Sequence, residues 1–288
     1  MTIIENDYLR LTAQVKGAEL TSIFDKEKKI EYLWQADAKH WGRHAPVLFP
    51  IVGRLKENSF SFNSNSYSLN QHGIARDMNF QILETTENSV LFTLRSKGKT
   101  LKLFPFHFNL RIKYTLEERT VKVTYEVVNP FLEPLYFSIG GHPAFNCPLE
   151  EGEKRSDYQL VFDEVETAQT QLLTDGLRNG GTSEVFNGTN QLHLTDDLFE
   201  NDALVFNDLK SSSVSLQKGD EKKLTFHFEG FPYLGIWSKS SESPFVCIEP
   251  WFGVADLATH HQDLTEKEGI LKLEPSEIFD CHYAIEIH

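Results

Sequence analysis

Phe108-Asn109-Leu110-Arg111-Ile112-Lys113-Tyr114-Thr115-Leu116 alternates apolar and polar side chains at every step, and Val121-Lys122-Val123-Thr124-Tyr125-Glu126-Val127 repeats the pattern. Successive side chains of a strand point to opposite faces, so this period of two predicts strands with one buried face. Working outward, Phe60, Phe62, Tyr67 and Leu69 flank Asn63-Ser64-Asn65-Ser66, which reads as a hairpin around an Asn/Ser turn. Leu224, Phe226 and Phe228 continue the alternation up to Gly230. Helical signals are scarce: Thr195 to Glu200, with Thr195 as its cap, and a turn from Asp263 to Gly269. The charged stretch Glu150 to Ser156 and the Gly-, Asn- and Thr-rich stretch 174–190 read as long surface loops. With no linker, repeat or low-complexity tract, the expectation is one all-β domain over residues 1–288, a sandwich or barrel.

A chain of 288 residues can bury most of its apolar surface and needs no disulfide or metal to fold. The formal net charge of −14 repels nucleic-acid phosphates and anionic membranes. It does not oppose a small neutral ligand, whereas a phosphorylated ligand would require a local basic cluster. The three cysteines, Cys147, Cys247 and Cys281, form no CxxC pair and point to a reducing compartment. The N-terminus MTIIENDYLRL lacks the features of a signal peptide, and no apolar run reaches the ~20 residues that span a bilayer. The expected location is the cytoplasm.

Three segments place polar groups where a strand pattern calls for hydrophobes or turns. In Phe137-Ser138-Ile139-Gly140-Gly141-His142-Pro143-Ala144-Phe145-Asn146, the glycines permit close backbone approach, and Pro143 restricts His142 to extended geometry. An imidazole so directed can donate and accept a proton near neutrality, or it can be a buried His bonded to backbone. In Pro244-Phe245-Val246-Cys247-Ile248-Glu249-Pro250-Trp251-Phe252-Gly253, one carboxylate lies among apolar residues. It is either a structural ion pair or a general base whose pKa burial has raised, with Trp251 beside it as a flat face for a sugar. The third segment, Gln71-His72-Gly73-Ile74-Ala75-Arg76-Asp77, is preceded by Pro50-Ile51-Val52-Gly53-Arg54. It offers imidazole and guanidinium donors for hydroxyls or phosphates, or else an Arg–Asp surface pair and a loop His. There is no GxGxxG, GxxxxGK[ST] or GxSxG sequence. His260-His261 and the His40/His44 pair lack the spacings of a metal site, so none is expected.

In their order, PIVGR (50–54), QHGIARD (71–77), GGHPAFN (140–146), DALVF (202–206) and CIEPWFG (247–253) resemble the aldose 1-epimerase family, in the branch of the LacX-type proteins. The resemblance runs over nearly the whole chain. It implies a single-domain antiparallel β-supersandwich of the galactose mutarotase-like type, with an open cleft for the ring form of an aldose. It implies His142 as general acid, Glu249 as general base, and Arg54 and His72 as sugar contacts. Asp202 falls on an acidic sugar ligand, and Arg76 and Trp237 are further contacts suggested by HGIAR and GIW. The activity implied is interconversion of the α and β anomers of a hexose by ring opening and closure, without cofactor, nucleotide or covalent adduct, in a monomer or homodimer. HGIARD also resembles the branches that include hexose-6-phosphate epimerases, which makes a 6-phosphate the alternative substrate. A non-catalytic sugar-binding or sensor protein, and a glycosidase using Asp202 as a second carboxylate, are the remaining alternatives.

Overall fold

The computed structural model describes all of residues 1–288. The two alternating segments form neighbouring antiparallel strands, Asn109–Glu117 and Thr120–Val128, with Val121 opposite Leu116 and Val127 opposite Leu110. Leu110, Ile112, Tyr114 and Leu116 are buried, as are Val121, Val123, Tyr125 and Val127. Each such side chain contributes roughly 1.5–3 kcal/mol through burial, and a one-residue slip would turn the whole set to solvent, so the register is strongly fixed.

These strands sit within a nine-stranded antiparallel sheet. Its order is Leu177–His193, Tyr158–Thr174, Ser213–Lys218, Glu221–His227, Ile278–Ile287, Thr120–Val128, Asn109–Glu117, Ser89–Arg95 and Gln81–Thr85. A second sheet runs Leu204–Asn207, Tyr233–Trp237, Phe245–Phe252, Ile139–Gly141 and Val47–Leu48, with Ala144–Asn146 also paired to Phe245–Phe252. Its inner face packs on the large sheet, as Phe145 does on Phe226 at 6.1 Å between ring centres. One cluster of 62 buried residues runs through both sheets, so they share a core and form an antiparallel β-sandwich. A three-stranded sheet, Thr2–Glu5, Leu9–Ala13 and Leu20–Asp25, adds Leu9, Leu11 and Ile23 to that core.

The expected hairpin is present, Ser59–Phe62 with Asn65–Ser68, but its turn is only Asn63-Ser64. Both turn residues have positive φ, 49° and 62°, the two-residue geometry whose twist suits a hairpin. Other expectations are corrected. The stretch 174–190 is not a loop: it is mostly strand Leu177–His193, which turns back on Tyr158–Thr174 through Asp175-Gly176. Thr195 to Glu200 does not form a helix. It makes isolated turns, such as Leu198 N–H to Thr195 C=O at 3.4 Å, and Phe199 is buried. Asp263 to Gly269 contains one 3₁₀ turn, Leu264–Glu266, capped by the Asp263 carboxylate. The helix that does form, Gly98–Leu103, lies elsewhere; the Thr100 hydroxyl accepts from Lys97 N–H at 2.7 Å.

Candidate active site

Strand Phe245–Phe252 pairs with Ile139–Gly141 and then with Ala144–Asn146. Gly140 lies opposite Trp251, and Ala144 opposite Cys247. The register is unchanged across the gap, so His142 falls directly opposite Glu249. Pro143 has no N–H to continue the ladder; instead its carbonyl accepts from Ile248 N–H at 3.2 Å. The polar residues that interrupt two apolar runs are therefore delivered to one point. His142 Nε2 is 3.2 Å from Glu249 Oε2, off hydrogen-bond alignment, and the residues are 7% and 1% exposed.

Burial pushes the Glu249 carboxyl well above 4.5; the neighbouring Trp251 indole opposes this rise and Asp202 adds to it. Burial likewise pulls His142 down to about 3, with Arg76 and Arg43 lowering it further against its own backbone hydrogen bond. Both shifts favour a neutral carboxylic acid beside a neutral imidazole. Moving that proton from Glu249 to His142 gives a carboxylate and an imidazolium without changing the proton count of the pair. Glu249 Oε2, His142 Nδ1 and Trp251 Nε1 are buried without hydrogen-bond partners. Unsatisfied buried polar atoms are uncommon, and these are groups that a polar ligand or water in the adjoining cavity can satisfy.

The pair opens on a cavity of about 900 Å³, within the range of small-molecule sites. All the other residues singled out from the sequence, Arg54, His72, Arg76, Asp202 and Trp237, line it. His72 Nδ1 accepts from Gly53 N–H at 3.1 Å. Its proton is therefore on Nε2, and burial holds the ring well below 6.5, so His72 is a fixed neutral donor. That arrangement requires glycine at 53 and 73. Gly53 has φ +74° and a Cβ there would stand 2.5 Å from Ala255; Gly73 has φ +72° and its Cβ would stand 2.4 Å from the Phe49 carbonyl oxygen. Arg54 donates to the Asp175 carbonyl at 2.7 Å, which places it at the turn of the long hairpin. Arg76 donates to the Gln71 carbonyl at 2.6 Å; its guanidinium is brought to about 10 by burial and by the adjacent Arg43. Asp202 sits at φ 81° on the exposed loop before strand Leu204–Asn207.

Trp251 does not offer the open face expected of it. It is 6% exposed, and its ring occupies the space a side chain at Gly235 would fill, 2.4 Å from the Cβ position. The sequence reading also missed Trp41, Arg43, Arg178 and Lys239, which line the cavity. Trp41 and Arg43 lie in an irregular segment and Arg178 in the stretch read as a loop, so no strand period marked them. Cys247 brings its sulfur within 4.8 Å of donor atoms on His142 and Glu249. Burial and Glu249 push its thiol well above 9. The group at contact distance from Glu249 is the His142 imidazole, and Asp202 is near enough to raise the Glu249 pKa. No helix is long and apolar enough to cross a membrane.

A profile of the aldose 1-epimerase family matches residues 1–266. Protein LacX of Lactococcus lactis subsp. lactis, in its chromosomal form, is 36% identical over 298 aligned positions, covering 100% of this chain and 99% of that protein. The structure of a galactose mutarotase related enzyme from Lactobacillus acidophilus matches with a TM-score of 0.95 at 34% identity, covering 100% of this chain and 97% of that one. A galactose mutarotase-like protein from Lactobacillus casei ATCC 334 matches with a TM-score of 0.93 at 30% identity over 100% of both chains.

Proposed function

The chain belongs to the aldose 1-epimerase family, and from that premise we propose that it interconverts the α and β anomers of a hexose through the His142–Glu249 pair. Its β-supersandwich is of the galactose mutarotase-like type. Glu249, as carboxylate, takes the proton of the anomeric hydroxyl. The bond from C1 to the ring oxygen breaks, its electron pair goes to that oxygen, and His142, as imidazolium, protonates it. The free aldehyde rotates about C1–C2. Closure with the roles reversed, His142 taking the ring hydroxyl's proton and Glu249 returning its own, yields the other anomer. The anomeric hydroxyl and the ring oxygen are bonded to one carbon, so the groups serving them must stand side by side.

The observation that carries this reading is the buried, unsatisfied pair at 3.2 Å, held by an uninterrupted strand register. Ring opening leaves Glu249 protonated and His142 neutral, which is the form their surroundings favour. His72, Arg54, Arg76, Asp202 and Trp237 are the substrate contacts in this reading, and all face the same cavity. A sugar-binding protein without catalysis has no use for an acid–base pair held off alignment in a buried pocket. The test is anomer exchange by NMR saturation transfer with His142→Asn and Glu249→Gln. Each replacement is expected to lower turnover by about 10²–10⁴-fold, and a loss below about tenfold in either removes that residue's role.

One observation favours a second substrate. Arg76 has no carboxylate partner, and Arg43 stands close enough to lower its pKa, with Asp77 3.0 Å from Arg43. The two guanidiniums line the same cavity wall, with Asp77 and Glu19 as the carboxylates acting on Arg76, and their donors suit a hexose 6-phosphate. Exchange seen only with 6-phosphates, and lost in Arg76→Leu, selects that substrate; exchange with free hexoses selects the first. The three thiols are free and buried, which supports the cytoplasm as the place of work.

A further inference from the structure

We propose that Trp41 is a positioning residue that stabilises the imidazolium form of His142 during turnover by presenting its indole face to the ring. The rings are stacked, with centroids 4.8 Å apart and planes inclined by 25°. A cation held over an indole face within about 6 Å is attracted by the ring quadrupole, and more strongly where water is excluded. The indole is braced in place. Its own residue's carbonyl accepts from Trp34 Nε1 at 2.8 Å, its backbone N–H donates to the Asp37 carbonyl at 3.0 Å, and Trp237 meets it edge-on at 5.6 Å. The face that lies on His142 is not open to a sugar ring.

The surroundings give this contact a task. His142 is faced by Arg43 and Arg76 and, edge-on at 5.5 Å, by the His72 ring, with the Cys247 thiol and the Glu249 carboxyl close by. Two fixed cations and the burial of the site disfavour a positive charge on the imidazole. Glu249, when ionised, favours it, but Glu249 gives up that charge as it takes the substrate proton. Trp237 meets the His142 ring edge-on at 5.7 Å, and Trp41 is the aromatic neighbour stacked on it, with a favourable field that does not change during the reaction. The irregular segment that carries Trp41 also carries Arg43, so one stretch of chain supplies both the stabilising face and an opposing charge.

The proposal rests on His142 being the general acid, and the experiment separates the two claims. Trp41→Leu and Trp41→Phe are compared with wild type and His142→Asn by saturation-transfer measurement of anomer exchange across pH. Trp41→Leu is expected to lower kcat by about twofold to thirtyfold with little change in KM, and Trp41→Phe to fall between. The acid limb of the pH profile is expected to move to lower pH in both variants, because protonation of His142 becomes harder. A raised KM with unchanged kcat would make Trp41 a sugar platform and overturn the proposal, as would an acid limb that does not move. If Trp41→Leu fails to fold, Trp41→Phe carries the same comparison. If the Trp41 variants keep full kcat while His142→Asn is inactive, only this proposal fails. If His142→Asn is fully active, the acid assignment beneath it fails.

Discussion

Replacing Glu249 by Gln keeps the shape of a fully buried side chain while removing its ability to ionise, so one substitution separates what the carboxylate does for catalysis from what it costs the fold. Burial holds its pKa well above 4.5 in the native state, so above that value the unfolded chain gives up a proton that the native chain retains. Folding then takes up a proton, and native stability falls as pH rises from the unfolded pKa towards the native one. The slope is about 1.4 kcal/mol per pH unit. The amide of the variant does not titrate, so its stability lacks this slope. Near pH 5 the acid and the amide are both neutral in the native state, which sets the reference. From there the variant's unfolding free energy should rise relative to wild type by about 1.4 kcal/mol per pH unit until the native carboxyl ionises. Urea unfolding of both proteins at about pH 5, 6, 7 and 8 measures the difference. Anomer exchange on the same samples should show the loss of about 10²–10⁴-fold. A stability difference that does not change with pH, or a variant that becomes relatively less stable as pH rises, would refute the claim that this carboxyl is held neutral by burial.

Other outcomes follow from the same geometry. His142 is brought to about 3, so the acid limb of kcat/KM should lie far below 6.5, and the alkaline limb should lie well above 4.5, where the pair loses its single proton; an acid limb near 6.5 would contradict the buried, cation-flanked setting of the imidazole. Gly73→Ala places a Cβ 2.4 Å from the Phe49 carbonyl oxygen at φ +72°, so the fold should lose at least about 1–3 kcal/mol in urea unfolding and KM should rise as His72 shifts; an unchanged unfolding curve would show that the turn can relax. Arg155 is buried, donates to Ser238 Oγ at 2.9 Å and the Ser240 carbonyl at 2.7 Å, and lies over the Phe199 ring at 5.5 Å. Arg155→Met should therefore cost about 1–3 kcal/mol for each acceptor left unpaired and raise KM through the loops that carry Lys239 and Asp202; full stability in the variant would mean that water replaces the guanidinium.

What the sequence made legible had a physical period or broke one. Leu110 to Leu116 and Val121 to Val127 have one face on the core and one in solvent, and that asymmetry is the alternation itself. His142 and Glu249 stood out because each interrupts an apolar strand, and the strand register then sets them opposite each other. The long hairpin Tyr158–Thr174 and Leu177–His193 was hidden because only Tyr158 to Phe162 pairs with Ser213–Lys218. Beyond that the ribbon leaves the sheet, much of it is exposed, and its composition is that of a loop. Gly98–Leu103 is six residues long, too short for a helical period to show. Trp41 and Arg178 act through positions that only the folded chain defines: one stacks on a ring about a hundred residues away in sequence, the other donates to the Ala255 carbonyl at 2.8 Å. Trp251 lines the cavity, but the closing of its face is not legible in the sequence, because Gly235 lies on another strand.

The decisive measurement is saturation-transfer NMR of anomer exchange by the wild-type protein, on glucose, galactose and their 6-phosphates at catalytic enzyme concentration. Exchange faster than the spontaneous rate is expected with at least one of these sugars. Binding without acceleration on any of them would contradict the epimerase reading and leave the cavity as a sugar receptor.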